Sequence, residues 1–379
     1  RSFEIEKLLV EHGADVNAKD KYGKTIFYHT PNYETVKLLI ENGFDVNNTD
    51  EAGETPLFNA QSFEIAKLLI EHGADVNAKD KTGETPLFDA RSFEIAKLLI
   101  EHGADVNNKD EDGETPLFNA RSFEIAKLLI EHGADVNTKR FGKNPLHYIK
   151  SYEIAKLLIE NGADVNDRNN YDVDDTFNYG RTPLFDTQSV EIAKLLIEHG
   201  ADVNAKDSES KTALFFTKEI NFAKLLLEHG ADINAKDMYG KTPLFYAQSP
   251  EVAKFFISQG LRVDAKDNNG ATALFYVSDP RMVNFFIGKG LDTNARDNNG
   301  SNPLFYNAPY YILTGFIENG ADATVKNCNG RTPLFTTEDP YSAAVLYIYG
   351  ADPNAKDNDG KTASYWQEGE GKQAMLKCS

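Results

Sequence analysis

The sequence predicts an all-α repeat solenoid, elongated and curved, with antiparallel helix pairs stacked side by side and short turns or β-hairpins projecting as fingers. Three observations carry that prediction. A 30-residue unit, clear in TPLFNARSFEIAKLLIEHGADVN at residues 115–137, recurs along the 379 residues. Four units place Thr-Pro-Leu behind an Asp-x-x-Gly turn, and the others keep part of that pattern. Each then carries apolar residues at i, i+3 and i+4. A chain of this length would ordinarily hold two or three globular domains, but a tandem array grows by adding units and not by enlarging one core.

The unit beginning at Asp80 justifies each element in turn. Asp80-Lys81-Thr82-Gly83 reads as a turn, with Gly83 free to take positive φ. Thr85 reads as an N-cap and Pro86 as the first helical residue, where a missing N–H costs nothing. A first helix is expected to run from there to about Arg91. Ser92 caps a second helix over 93–102, with Glu94 in its first turn favourable to the dipole. Ile95, Leu98 and Leu99 mark its buried stripe, while Glu94, Lys97 and Glu101 line a solvated face. Gly103 stops it in the left-handed conformation.

Aligned on the triplet, units start at Asp20, Asp50, Asp80, Asp110, Lys139, Phe177, Asp207, Asp237, Asp267, Asp297, Asn327 and Asp357. Eleven units are therefore expected over 20–356, after a partial unit at 1–19 that holds only a second helix. Residues 357–379, with Trp366, Gly369 and Gly371, read as a cap with a polar outer face, Trp366 covering the last ring of the array. The unit from Asp110 is one residue short, and the next carries eight extra in an insertion near 167–179. The chain opens in mid-unit, so the natural protein is expected to extend further toward the N-terminus.

These residues resemble the ankyrin repeat over essentially the whole chain: Asp-x-x-Gly-x-Thr-Pro-Leu, then Lys-Leu-Leu-Ile-Glu-x-Gly-Ala-Asp-Val-Asn. The resemblance implies helix pairs, fingers at right angles to them, and a concave groove of finger tips and first helices that binds other proteins. The chain departs from the usual pattern in length, being three residues shorter between the helices, so Ser92 must both end one helix and cap the next. It also departs at the His that usually follows Thr-Pro-Leu. Here every unit has a ring: Tyr28, Phe58, Phe88, Phe118, His147, Phe185, Phe215, Phe245, Phe275, Phe305, Phe335 and Tyr365. A stacked aromatic spine is expected, replacing apolar area lost with the trimmed helix.

Composition excludes several functions. With 40 basic and 59 acidic side chains, a net of −19, the protein would repel nucleic acid. No run of 18 apolar residues predicts a membrane span. Cys328 and Cys378 imply no disulfide framework, which suits a reducing intracellular compartment; a secreted effector is the other reading, by family association alone. His12, His72, His102, His132, His199 and His229 form a row, but stacked helices lie about 8–10 Å apart, too far to share one ion. The same spacing removes the repeated carboxylates as acid–base pairs. Asp172, Asp174 and Asp175 hint at calcium, yet an EF-hand loop from Asp172 would need Gly and Glu where Phe177 and Pro183 stand. No nucleophile triad, phosphate loop or Cys/His metal spacing stands out, so no enzyme, cofactor or metal is expected, and the chain is expected to be monomeric.

A partner protein is the remaining expectation. At 100° per residue, with Leu57 and Ala60 facing the core, Asn59 points away from it. Down the array this position reads His29, Asn59, Asp89, Asn119, Tyr148, Asp186, Phe216, Tyr246, Tyr276, Tyr306, Thr336 and Trp366. Phe216, Tyr246, Tyr276 and Tyr306 are the candidate partner-binding residues, with the finger residues Tyr179 and Tyr239 extending the patch. Residues 1–140 hold 16 basic and 27 acidic side chains, whereas 241–350 hold 9 and 10. A near-neutral tyrosine strip suits protein binding; packing partly in the core is the competing reading. Glu54, Glu84 and Glu114 form a second row that could meet a basic partner. The reading reached is a non-enzymatic scaffold that binds a partner on its concave face. The alternative is a passive spacer, spring or regulatory array attached to an upstream domain.

Overall fold

In a computed structural model of the chain, residues 3–29, 32–60, 62–170, 179–306 and 309–363 are described. Among the described residues, twelve nine-residue second helices recur: α1 (Phe3–Glu11), α2 (Tyr33–Glu41), α3 (Phe63–Glu71), α4 (Phe93–Glu101), α5 (Phe123–Glu131), α6 (Tyr152–Glu160), α8 (Val190–Glu198), α9 (Ile220–Glu228), α10 (Pro250–Ser258), α11 (Pro280–Gly288), α12 (Tyr310–Glu318) and α13 (Pro340–Ile348). The one-turn helix α7 (Pro183–Asp186) stands between α6 and α8. Two compact units divide the chain, 1–187 and 188–379. In the first, α1 to α6 pack in sequence; in the second, α8 to α13 do the same.

The second helices form as their sequences dictate. The Ser92 hydroxyl accepts the Ile95 N–H, a cap worth about 1 kcal/mol, and the helix runs to Glu101 with His102 as C-cap. Ile95, Ala96, Leu98 and Leu99 are buried, the large ones contributing about 1.5–3 kcal/mol each. On the solvated face Lys97 pairs with Glu101 at 3.8 Å. The histidine row takes a backbone partner. Nδ1 of His72, His102, His132, His199 and His229 lies 2.8 Å from the carbonyl four residues earlier, which already accepts the N–H of the same histidine.

The first helix is shorter than expected. It survives as a single 3-10 turn in most units, such as Pro56–Asn59 and Pro243–Tyr246, and as a bare turn after Thr85 and Thr115. With three residues removed, the chain must become extended at Ala60 to reach the Ser62 cap, leaving no room for a second turn. The threonine N-cap is also absent. Thr55 makes no side-chain cap bond, and the hydroxyls of Thr55, Thr85, Thr115 and Thr242 are buried without a partner.

Nor are the fingers regular hairpins. The Asp80 carboxylate accepts the N–H groups of Thr82 and Glu84 at 2.9 Å, and its own N–H reaches the Glu84 carbonyl at 3.0 Å. This Asx-type turn takes a left-handed residue three positions on, Gly83 at φ +86° and Ser210 at φ +64° in the Asp207 unit, and at the matching Gly53 a Cβ would lie 2.9 Å from the Lys81 nitrogen. One backbone bond joins successive fingers, as from Lys81 N–H to the Ala52 carbonyl at 2.9 Å. Among the described residues only Arg140/Lys143 and Lys356/Thr362 form β-bridges. The first closes a two-residue loop in which Phe141 and Gly142 take φ +45° and +74°.

Asparagine staples tie neighbouring units together. Asn47 donates to the Gly73 carbonyl at 3.0 Å while its own oxygen accepts the Asp75 N–H at 2.8 Å. The same double bond recurs from Asn77, Asn107 and Asn137.

Candidate protein-binding site

In the second unit, Phe216, Tyr246, Tyr276 and Tyr306 stand at or just past the ends of successive first turns, each half-buried. The aromatic spine is not simply ring on ring. Contacts here run diagonally from a spine ring to the tyrosine of the next repeat: Phe215 to Tyr246 at 5.7 Å, Phe245 to Tyr276 at 6.0 Å, and Phe275 to Tyr306 at 5.2 Å. Tyr276 and Tyr306 also meet edge to face at 5.2 Å. The spine and the outward row are thus one interlocked surface, because a shortened turn brings positions i and i+31 together.

Each tyrosine is also fixed at its hydroxyl. Tyr246, Tyr276 and Tyr306 donate to Asp237, Asp267 and Asp297 at 2.6, 2.6 and 2.8 Å. The other carboxylate oxygen of each Asp holds the finger turn. Burial, then the Asp partner, pushes the Tyr276 hydroxyl up to about 12, and the same causes raise Tyr246 and Tyr306. Above these rings lie lysines from the preceding finger, Lys211 at 4.7 Å from Tyr246 and Lys241 at 3.5 Å from Tyr276. Burial lowers the Lys241 pKa, with Asp267 and Asp237 opposing it. Exposed Tyr239 sits on the adjoining finger, its hydroxyl 3.4 Å from Glu209. A small pocket between Tyr246 and Tyr276 is lined by Ala247, Gln248, Val277 and Ser278.

Tyr179 belongs to the first unit, where it is exposed. The calcium candidates Asp172, Asp174 and Asp175, with Phe177, lie outside the described residues, as do Tyr365 and Trp366. In the first unit the outward row turns toward its own neighbours. Asn59 donates to Glu54 at 2.8 Å. Asp186 is not outward: it lies 2.7 Å from Nδ1 of His147 and 3.1 Å from Lys143. His147 is wholly buried, with Nε2 3.3 Å from the Asp167 carbonyl. Burial opposes its charged form, but Asp167 and Asp186 outweigh that and hold its pKa above the ordinary value. Lys139 pairs with Asp167.

The glutamate row contains closer carboxylates than repeat spacing suggests. Glu84 from one finger meets Asp110 and Glu114 from the next, with ligand atoms within 4.8 Å of one another. The spacing argument holds for equivalent positions, and these are not equivalent. The three could hold a cation, although Arg140 already pairs with Glu114. Burial, then the negative charge of Asp80, Asp89, Asp110 and Glu114, pushes Glu84 up to about 7.

A sequence signal for the tyrosine clamp exists, the Asp–Tyr spacing of nine repeated three times. The lysine caps are visible only once rings and fingers are placed. Among the described residues, no helix is long and apolar enough to cross a membrane. The family model described as ankyrin repeats (3 copies) matches residues 28–110, 91–169, 188–267 and 212–297. No curated protein matches the chain.

Proposed function

Because the chain belongs to the ankyrin repeat family, we propose that it is a non-enzymatic scaffold whose second unit binds a partner protein through Tyr246, Tyr276 and Tyr306. Ankyrin repeats generally mediate protein–protein interaction, and proteins built from them are typically non-enzymatic. The fingers and first turns that carry these residues form the concave face in the family pattern. The observation that carries the assignment is how the strip is held in place. Each ring is held by a neighbouring ring and by an Asp at 2.6–2.8 Å, yet keeps part of its surface in solvent. Rings ordered in advance lose little side-chain entropy on binding, which is what makes tyrosine effective at interfaces. Phe216 and Tyr239 border the strip, and Lys211 and Lys241 add charge to an otherwise aromatic surface. Tyr179 lies on the first unit and is proposed as a contact of that unit by itself.

The test replaces the three tyrosines by asparagine, the residue that units with Asn59 and Asn119 carry at this position and fold with. Y246N/Y276N/Y306N should keep its helicity and lose at least tenfold in affinity for a protein first captured by the parent chain. Unchanged affinity would remove the strip from the binding site.

A further inference from the structure

Through the second unit, the solvated face of the second helices loses its charges step by step. In α8 the outward positions are Glu191, Lys194 and Glu198, with a Lys194–Glu198 pair at 3.7 Å. In α13 the same three positions are Tyr341, Ala344 and Ile348, and the helix, PYSAAVLYI, contains no charged residue. Tyr341 is 72% exposed, Ile348 is 73% exposed, and Tyr349 is 50% exposed where other units place the C-cap histidine. The adjoining α12 carries Tyr310 and Tyr311 on its exposed side, and Tyr310 contacts Tyr311 at 5.6 Å and Tyr341 at 6.0 Å. The result is a continuous aromatic face across two helices, on which α12 keeps Glu318 and α13 carries no charge. It is built from second-helix positions and shares no residue with the strip on the first turns.

We propose that this face of α12 and α13 is a self-association surface on which a second copy of the chain docks about a two-fold axis. Charge selects that occupant. Two copies that each carry −19 repel one another broadly, and most other second-helix faces bring Glu and Lys that would have to be desolvated or matched. On α13 a copy meets its like with no charge opposing it. A two-fold interface needs one patch that is complementary to itself, and interdigitating tyrosines and an isoleucine supply that. The exposed area of Tyr310, Tyr311, Tyr341, Tyr347, Ile348 and Tyr349 is on the order of 700 Å², close to the ≈ 800 Å² per partner of a stable complex.

Sedimentation velocity on the full chain, from about 1 to about 100 µM, tests the proposal. The informative variant is Y341E/A344K/I348E, which gives α13 the outward residues of α8 and so keeps a helix face known to this array. The parent should pass from monomer to dimer within that range, and the variant should need at least tenfold higher concentration at unchanged helicity. A parent that stays monomeric throughout overturns the proposal, as does a variant that dimerises like the parent. So does a monomeric parent that floats with neutral phosphatidylcholine vesicles, which would give the face to a lipid surface.

Discussion

Thr85 shows how a residue can fit a pattern and yet not do the work the pattern suggests. Threonine before proline at a helix start ordinarily caps an N–H, but the first turn is so short that the Thr85 hydroxyl ends buried with no partner. The ring that follows it, Phe88, has no nitrogen to offer. An unmet buried hydroxyl is a cost, and an isosteric methyl removes it. Thr85→Val should therefore stabilise the first unit by about 1 kcal/mol in urea unfolding; a loss of similar size would show that the hydroxyl has a partner after all. The Ser92 cap was legible because its i+3 partner lies on the same helix. The Thr85 outcome was not, since it depends on what a deletion several residues later does to the turn.

At the scale of the element, the finger is the part whose chemistry repetition hides. Glu84, Asp110 and Glu114 converge from two fingers because one backbone bond sets adjacent fingers side by side. Their convergence was not visible in a row of equivalent glutamates. Glu84 has its carboxyl raised from 4.5 to about 7, chiefly by burial and then by neighbouring carboxylates. A raised carboxyl contributes stability that is fully present below its unfolded pKa and is lost as pH rises through the folded value. The first unit should therefore lose stability between about pH 4.5 and pH 7 on this account. Glu84→Gln should remove that loss, gaining about 1 kcal/mol at pH 8 after solvent screening and nothing at pH 4. Denaturant unfolding at the two pH values reads this directly, and equal effects at both would mean that neither burial nor the acidic neighbours raise Glu84. The second helices, by contrast, were legible to within a residue: Ser92 and Gly103 bracket the apolar stripe, and the observed helix ends at Glu101.

Across the whole molecule, the parts most alike are those that hold the stack together. Buried Ile95, Leu98 and Leu99, the Asn77 staple and the Asp80 turn have counterparts in unit after unit, because each repeat is stabilised by its neighbours and must offer them the same faces. The departures gather in residues 188–379: tyrosines on the first turns, lysines above them, and uncharged outward faces on the last helices. The sequence located the tyrosine strip by angular position alone. It could not reveal that the hydroxyls are held by Asp237, Asp267 and Asp297, because a nine-residue separation across an irregular turn has no fixed geometry. Hydrogen exchange on the chain with and without its captured partner tests the central claim most directly. The account predicts that protection on binding falls on the fingers and first turns between residues 237 and 306, leaving the near-identical units of residues 50–137 unchanged. Protection confined to those near-identical units would contradict it.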